Sequence, residues 1–95
     1  MKEGNLFTVV PRVGSRMHEI GDRSYMSDIF LCISAEIRHS KRIIISGVRL
    51  KKHEDKTLTR LKKDSFMSGI SEFAAHEYDI EFYDGDFKYE PKKDD

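Results

Sequence analysis

The sequence predicts a mainly β fold, a small antiparallel barrel or strongly bent sheet carrying one short helix. Three observations lead there. Asp28 to Leu50 (DIFLCISAEI-RHSK-RIIISGVRL) is the densest run of β-branched and large apolar residues, split by a short polar turn. Tyr78 to Tyr83 alternates aromatic or aliphatic with acidic residues, the pattern of a half-buried strand. The chain of 95 residues is 38% hydrophobic and 36% charged, enough for a single domain with one modest core and a very polar exterior. We expect that domain to span residues 1–90, with 91–95 a charged tail.

The central run is read as a β-hairpin. With His39-Ser40 as a two-residue loop, Arg38 faces Lys41, and the pairs include Ala35:Ile44, Ile33:Ser46, Leu31:Val48 and Ile29:Leu50. Ile29, Leu31, Ile33, Ala35, Ile44, Val48 and Leu50 then share a core face, with Ile33 and Ile44 at its centre. The other face, with Phe30, Cys32, Ser34 and Glu36, is mixed, so part of it must be covered. A one-residue slip would instead join Ile43 to Ile37 and Ile45 to Ala35, but would set Arg49 against Leu31. The first register is preferred.

Taken in order, Leu6 to Val10 is a short strand stopped by Pro11. Val13 to Ser27 is loop with one turn of helix at most, and Met17, Ile20, Tyr25 and Met26 fold it against the sheet. Lys51 to Lys56 is a solvated turn, and Thr57 to Leu61 pairs antiparallel with Ile43–Leu50. Phe66, Met67, Ile70, Phe73 and Ala74 form a helical stripe, so the short helix is placed near 66–75 despite Gly69. Asp84-Gly85 signals a type I′ turn that returns Asp86–Tyr89 against Tyr78–Tyr83.

Charge is balanced overall but segregated. Residues 38–63 hold ten Lys/Arg against two Asp/Glu, and residues 64–95 hold three against ten. The basic stretch suggests phosphate contacts through Arg49, Lys51, Lys52, Arg60, Lys62 and Lys63. It contains no Phe, Tyr or Trp on which unpaired bases could stack, so nucleic-acid binding ranks second to a protein partner. The acidic stretch Asp79, Glu81, Asp84, Asp86 lacks the order of a calcium loop, and its charge could mimic a nucleic-acid backbone. Opposite charges also predict a weak homodimer, 38–63 of one copy meeting 79–86 of another.

Nothing marks an enzyme or a cofactor site. His18, His39, His53 and His76 lie in separate segments without ligand spacing, and no G-x-S-x-G or second cysteine is present. The lone Cys32 sits in an apolar strand as a small hydrophobe, which suits a reducing, cytoplasmic setting. No apolar run is long enough to span a bilayer, and the start MKEGNLF is too polar for a signal peptide.

One stretch is familiar. Gly21 to Phe30 resembles a pattern in small, mostly uncharacterised phage-encoded proteins: Asp22-Arg23-Ser24-Tyr25, a small residue (Ser27 here, glycine in the pattern), then a hydrophobic strand from Ile29. The likeness extends loosely to Ser71-Glu72-Phe73. It implies an SH3-like barrel and a phage accessory role in the host cytoplasm, and it implies no chemistry. Asp22, Arg23 and Tyr25 are accordingly candidate partner-binding residues beside the basic set. The expected function is a non-enzymatic binding protein.

Overall fold

The computed structural model describes residues 1–21, 25–38, 41–60 and 69–91. It is mainly β. Strands β1 (Leu6–Pro11), β2 (Phe30–Arg38), β3 (Arg42–Lys52), β4 (Thr57–Arg60), β5 (Ile70–Ala74), β6 (Tyr78–Phe82) and β7 (Lys88–Tyr89) form an open mixed sheet in the order β6-β1-β2-β3-β4-β7. β5 lies on the same edge of β3 as β4, beside Ile44–Val48, while β4 takes Leu50–Lys52. β4 is antiparallel to β3 as expected, but only along these last residues, and β3 itself runs through Lys51 and Lys52.

The hairpin combines both registers that the sequence allows. Phe30, Leu31 and Cys32 face Arg49, Val48 and Gly47, as the preferred register requires. At Ile33 the register shifts by one residue. Beyond it Ala35 faces Ile45, Ile37 faces Ile43 and Arg38 faces Arg42, which is the slipped pairing. A bulge lets two residues oppose one, so the hairpin joins Ile37 to Ile43 without setting Arg49 against Leu31. The expected pairs Ile33:Ser46 and Ala35:Ile44 are therefore replaced.

Apolar residues pack on both faces, not one. Phe7, Val9, Phe30, Cys32, Ile45, Phe73 and Tyr78 form one cluster. Ile29, Leu31, Val48, Leu50 and Leu58 form the other, covered in part by Ile33, Tyr83, Phe87 and Tyr89. The aromatic face, expected to be only partly covered, holds most of the largest fully buried side chains. Ile33 and Ile44 are only half-buried, and Ala35, which the register shift sets opposite Ile45 instead of Ile44, is exposed.

The aromatic cluster is enclosed by curvature. β5 and β6 stand at opposite ends of the series β6-β1-β2-β3-β5, yet Ala75–Glu77 alone connects them. Such a short link forces the five strands to curl until their ends approach. Phe73 of β5 then meets Tyr78 of β6 edge-on, with ring centres 5.2 Å apart. The turn is tied on both sides, since Arg12 N–H donates to Glu77 O and Ala75 N–H donates to Ile43 O.

Two local expectations are corrected. Ile70–Ala74 is a strand, not part of a helix, and residues 61–68 lie outside the described residues. The edge of β3 left open along Ile44–Val48 needs backbone partners, and that demand outweighs a helical stripe already weakened by Gly69. The short helix is instead α1 (Arg16–Ile20), capped by the Ser15 side chain at its start and by left-handed Gly21 at its end.

The Asp84-Gly85 hairpin does not form either. β7 pairs parallel with β4, Thr57 facing Lys88 and Leu58 facing Tyr89. A type I′ turn needs positive φ at both central residues, and Gly85 has none. Phe87 N–H donates to the Tyr83 hydroxyl, which draws the chain back over the second cluster.

Candidate functional site

The turn Tyr25–Asp28 is where sequence-predicted residues converge. Its backbone closes through Asp28 N–H donating to Tyr25 O. Asp28 is the residue before Ile29 and Phe30, and Phe30 faces Arg49 across the hairpin. That register brings the Asp28 carboxylate to the Arg49 guanidinium, Oδ2 to Nε at 3.0 Å, with only about a quarter of each side chain exposed (22% and 25%). An ion pair in so shielded a place contributes on the order of 1 kcal/mol, more than a freely solvated one. Lys52 donates to Ser27 O from the far end of β3.

Tyr25 is held from beneath. Its ring meets Phe73 edge-on at 5.1 Å and lies tilted against Phe30 at 5.9 Å. Much of the ring therefore serves to seat the turn on the aromatic cluster, as the covering role of a tyrosine would require. The apolar side chain the turn offers outward is Met26, 44% exposed, next to exposed Ser27. The sequence places Met26 against the sheet, and nothing local distinguishes which of Tyr25 and Met26 points in.

The remaining candidates are dispersed. Lys51 and Arg60 are exposed on β3 and β4, opposite Thr59 and Leu50. Asp22, Arg23, Lys62 and Lys63 lie outside the described residues.

Much of the basic stretch is engaged within the fold. Arg38 pairs with both Glu36 and Glu72, Arg42 approaches His76 at 3.2 Å, and Lys56 lies 5.0 Å above the Phe87 ring. The hydrogen bond from Arg38, followed by its charge, holds the Glu72 carboxyl below the usual glutamate range. A depressed carboxylate favours the folded state above its unfolded pKa, and that contribution is lost as pH falls through the folded value. In turn Glu72 first and then Glu36 raise the Arg38 guanidinium beyond its ordinary value.

The acidic stretch is divided as well. Asp79 is bound to Arg12 at 3.2 Å, and Asp79 and Glu81 point to the same side of β6 from positions opposite Val10 and Thr8. Asp84 and Asp86 are exposed in the turn before β7. Among the described residues, no three His, Cys, Asp or Glu side chains gather as a metal site. Cys32 is buried, burial pushes its thiol pKa up, and its Sγ donates to Ser34 O. No helix among the described residues is long and apolar enough to cross a membrane.

Compared with known proteins, the chain matches no family model, no curated protein and no solved structure.

Proposed function

We propose that this chain is a non-enzymatic binding module that docks onto a protein through the Tyr25–Asp28 turn and the adjoining end of β3. The observation carrying the proposal is the double anchoring of that turn, by Arg49 to Asp28 and by Lys52 to Ser27 O, above the Tyr25 ring. A turn held in place before encounter loses little entropy on binding, which is how a small surface gains affinity. Met26 supplies the exposed apolar contact, and Lys51, exposed on β3, supplies charge. The likeness of Gly21–Phe30 to phage-encoded proteins supports an accessory role in a host cytoplasm. The curl of the five strands around Phe73 supports the SH3-like reading.

Protein is favoured over nucleic acid because Arg38 and Arg49 already face carboxylates inside the fold. A phosphate would have to displace those partners. Titration of labelled duplex DNA, structured RNA and single strands at physiological salt is expected to give no sub-micromolar affinity. The opposite result would be tight binding that weakens for every sequence when Lys51, Lys52, Lys62 and Lys63 become Ala. Each lysine that had neutralised a phosphate would also flatten log K against log salt by roughly 0.7–0.9 once removed, and that pattern would establish the nucleic-acid reading instead.

A further inference from the structure

The hairpin beyond Ile33 is an arm with one open edge. β1 pairs with β2 only at Leu6:Leu31 and Phe7:Phe30, and Gly4 and Asn5 complete that contact at Cys32. From Ser34 to Arg38, no described strand lies along the outer side of β2. At the end of this arm Ile37 is 72% exposed and Ile43, directly across from it, is 47% exposed. Two large aliphatic side chains facing water side by side, one of them on an open strand, are an unusual arrangement for a solitary domain.

The backbone polarity of that edge follows from the opposite side of the hairpin. Ile43 O accepts from Ala75 N–H, so Ile43 turns its backbone groups away from β2. In an antiparallel ladder its partner Ile37 must then point its own N–H and C=O outward, to the open edge. Ile37 is therefore prepared to exchange two hydrogen bonds with a further strand.

We propose that this edge pairs with the same edge of a second copy, β2 against β2 antiparallel, with the twofold axis at Ile37. Three features select this register. Ile37 faces Ile37 of the second copy with both outward hydrogen-bonding groups used. On the same side of the joined sheet Ile43, Ile37 and their two counterparts form a continuous aliphatic row. On the other side Glu36 of each copy faces Arg38 of the other, so the charges on the described part of the edge are self-complementary, with each Arg38 keeping Glu36 and Glu72 of its own copy as well. Moving the axis to Glu36 would oppose two glutamates. A shift to an axis between residues would set outward backbone groups against inward ones.

This pairing differs from an association of the basic and acidic segments, and it is independent of the docking turn at Tyr25–Asp28. Sedimentation velocity of the full chain over a concentration series tests it. A monomer–dimer equilibrium is expected. Ile37→Lys should remove the dimer, and at concentrations where the wild type is also monomeric it should leave the melting curve unchanged, because the side chain is exposed. Arg38→Glu should weaken association on the order of tenfold by creating two like-charge pairs. Adding Glu36→Arg and Glu72→Arg to Arg38→Glu should restore it, since the reversed charges are again complementary both across the axis and within each copy. A wild-type monomer at every concentration, a dimer that survives Ile37→Lys, or failure of the triple variant to recover would each overturn the proposal.

Discussion

Phe73→Ala is expected to lower the unfolding free energy by about 3–5 kcal/mol, the usual loss when a buried phenylalanine is emptied. The Phe73 ring is the meeting point of the curled sheet. It is fully buried and contacts Phe7, Phe30, Tyr25 and Tyr78 edge-on, with centres 5.0 to 6.0 Å away. These partners come from β1, β2, β6 and the candidate turn, so the cavity would lie where neighbours are fixed by backbone pairing and cannot collapse. Against a total stability of about 5–15 kcal/mol for a small domain, the variant would be near its limit. Urea unfolding followed by fluorescence or circular dichroism should show a lower midpoint with an unchanged slope. A loss below about 1 kcal/mol would mean that the strands do not curl around this ring.

Gly47→Ala is expected to cost about 1–3 kcal/mol by overpacking, although a glycine within a strand is ordinarily improved by alanine. A Cβ at Gly47 would stand 2.7 Å from Phe7 Cζ, 2.8 Å from Phe7 Cε1 and 3.0 Å from Leu31 O. The Phe7 ring cannot retreat, since it is fully buried and stacked on Phe30 at 5.5 Å. Leu31 O belongs to the paired strand and moves only with it. Gly69→Ala meets nothing within 4 Å and serves as the control. Equal melting temperatures for the two variants would contradict the stacking of Phe7 across Gly47.

These positions show how far the fold could be read from residue order. The Leu31:Val48 pairing was legible because a dense β-branched run and a short turn leave few registers. The slipped pairs Ile37:Ile43 and Ala35:Ile45 were also visible, as an alternative. The bulge that makes both true was not, since no residue type marks it and Ile33 fits either pairing. The strand at Ile70–Ala74 was hidden because its cause is distant: the vacant edge of β3. Likewise Asp84-Gly85 carries a hairpin signal that the Tyr83 hydroxyl overrides from outside the turn.

The candidate site was legible in part. Tyr25 and Arg49 were identifiable, the first by resemblance and the second by charge. Their common location was not, because it depends on Phe30 facing Arg49, which brings Asp28 alongside. The basic and acidic segments suggested separate surfaces, yet Arg38 with Glu72 ties them together across the sheet, and Asp79 pairs with Arg12 from outside the basic segment. Charge runs in sequence do not reveal such partners, since strand pairing decides them. Ile37 escapes notice in the sequence for the same reason. Only the absence of a third described strand beyond β2 distinguishes it from a core isoleucine.

The proposed docking turn is tested most directly by site-specific photo-crosslinking in the cell that produces the protein. A benzophenone amino acid would replace Met26 on the turn, and in a second variant Glu81 on β6. The account predicts a discrete protein adduct from position 26 that withstands nuclease treatment, with none from position 81. An adduct removed by nuclease, or equal capture at both positions, would contradict a protein-docking surface at Tyr25–Asp28.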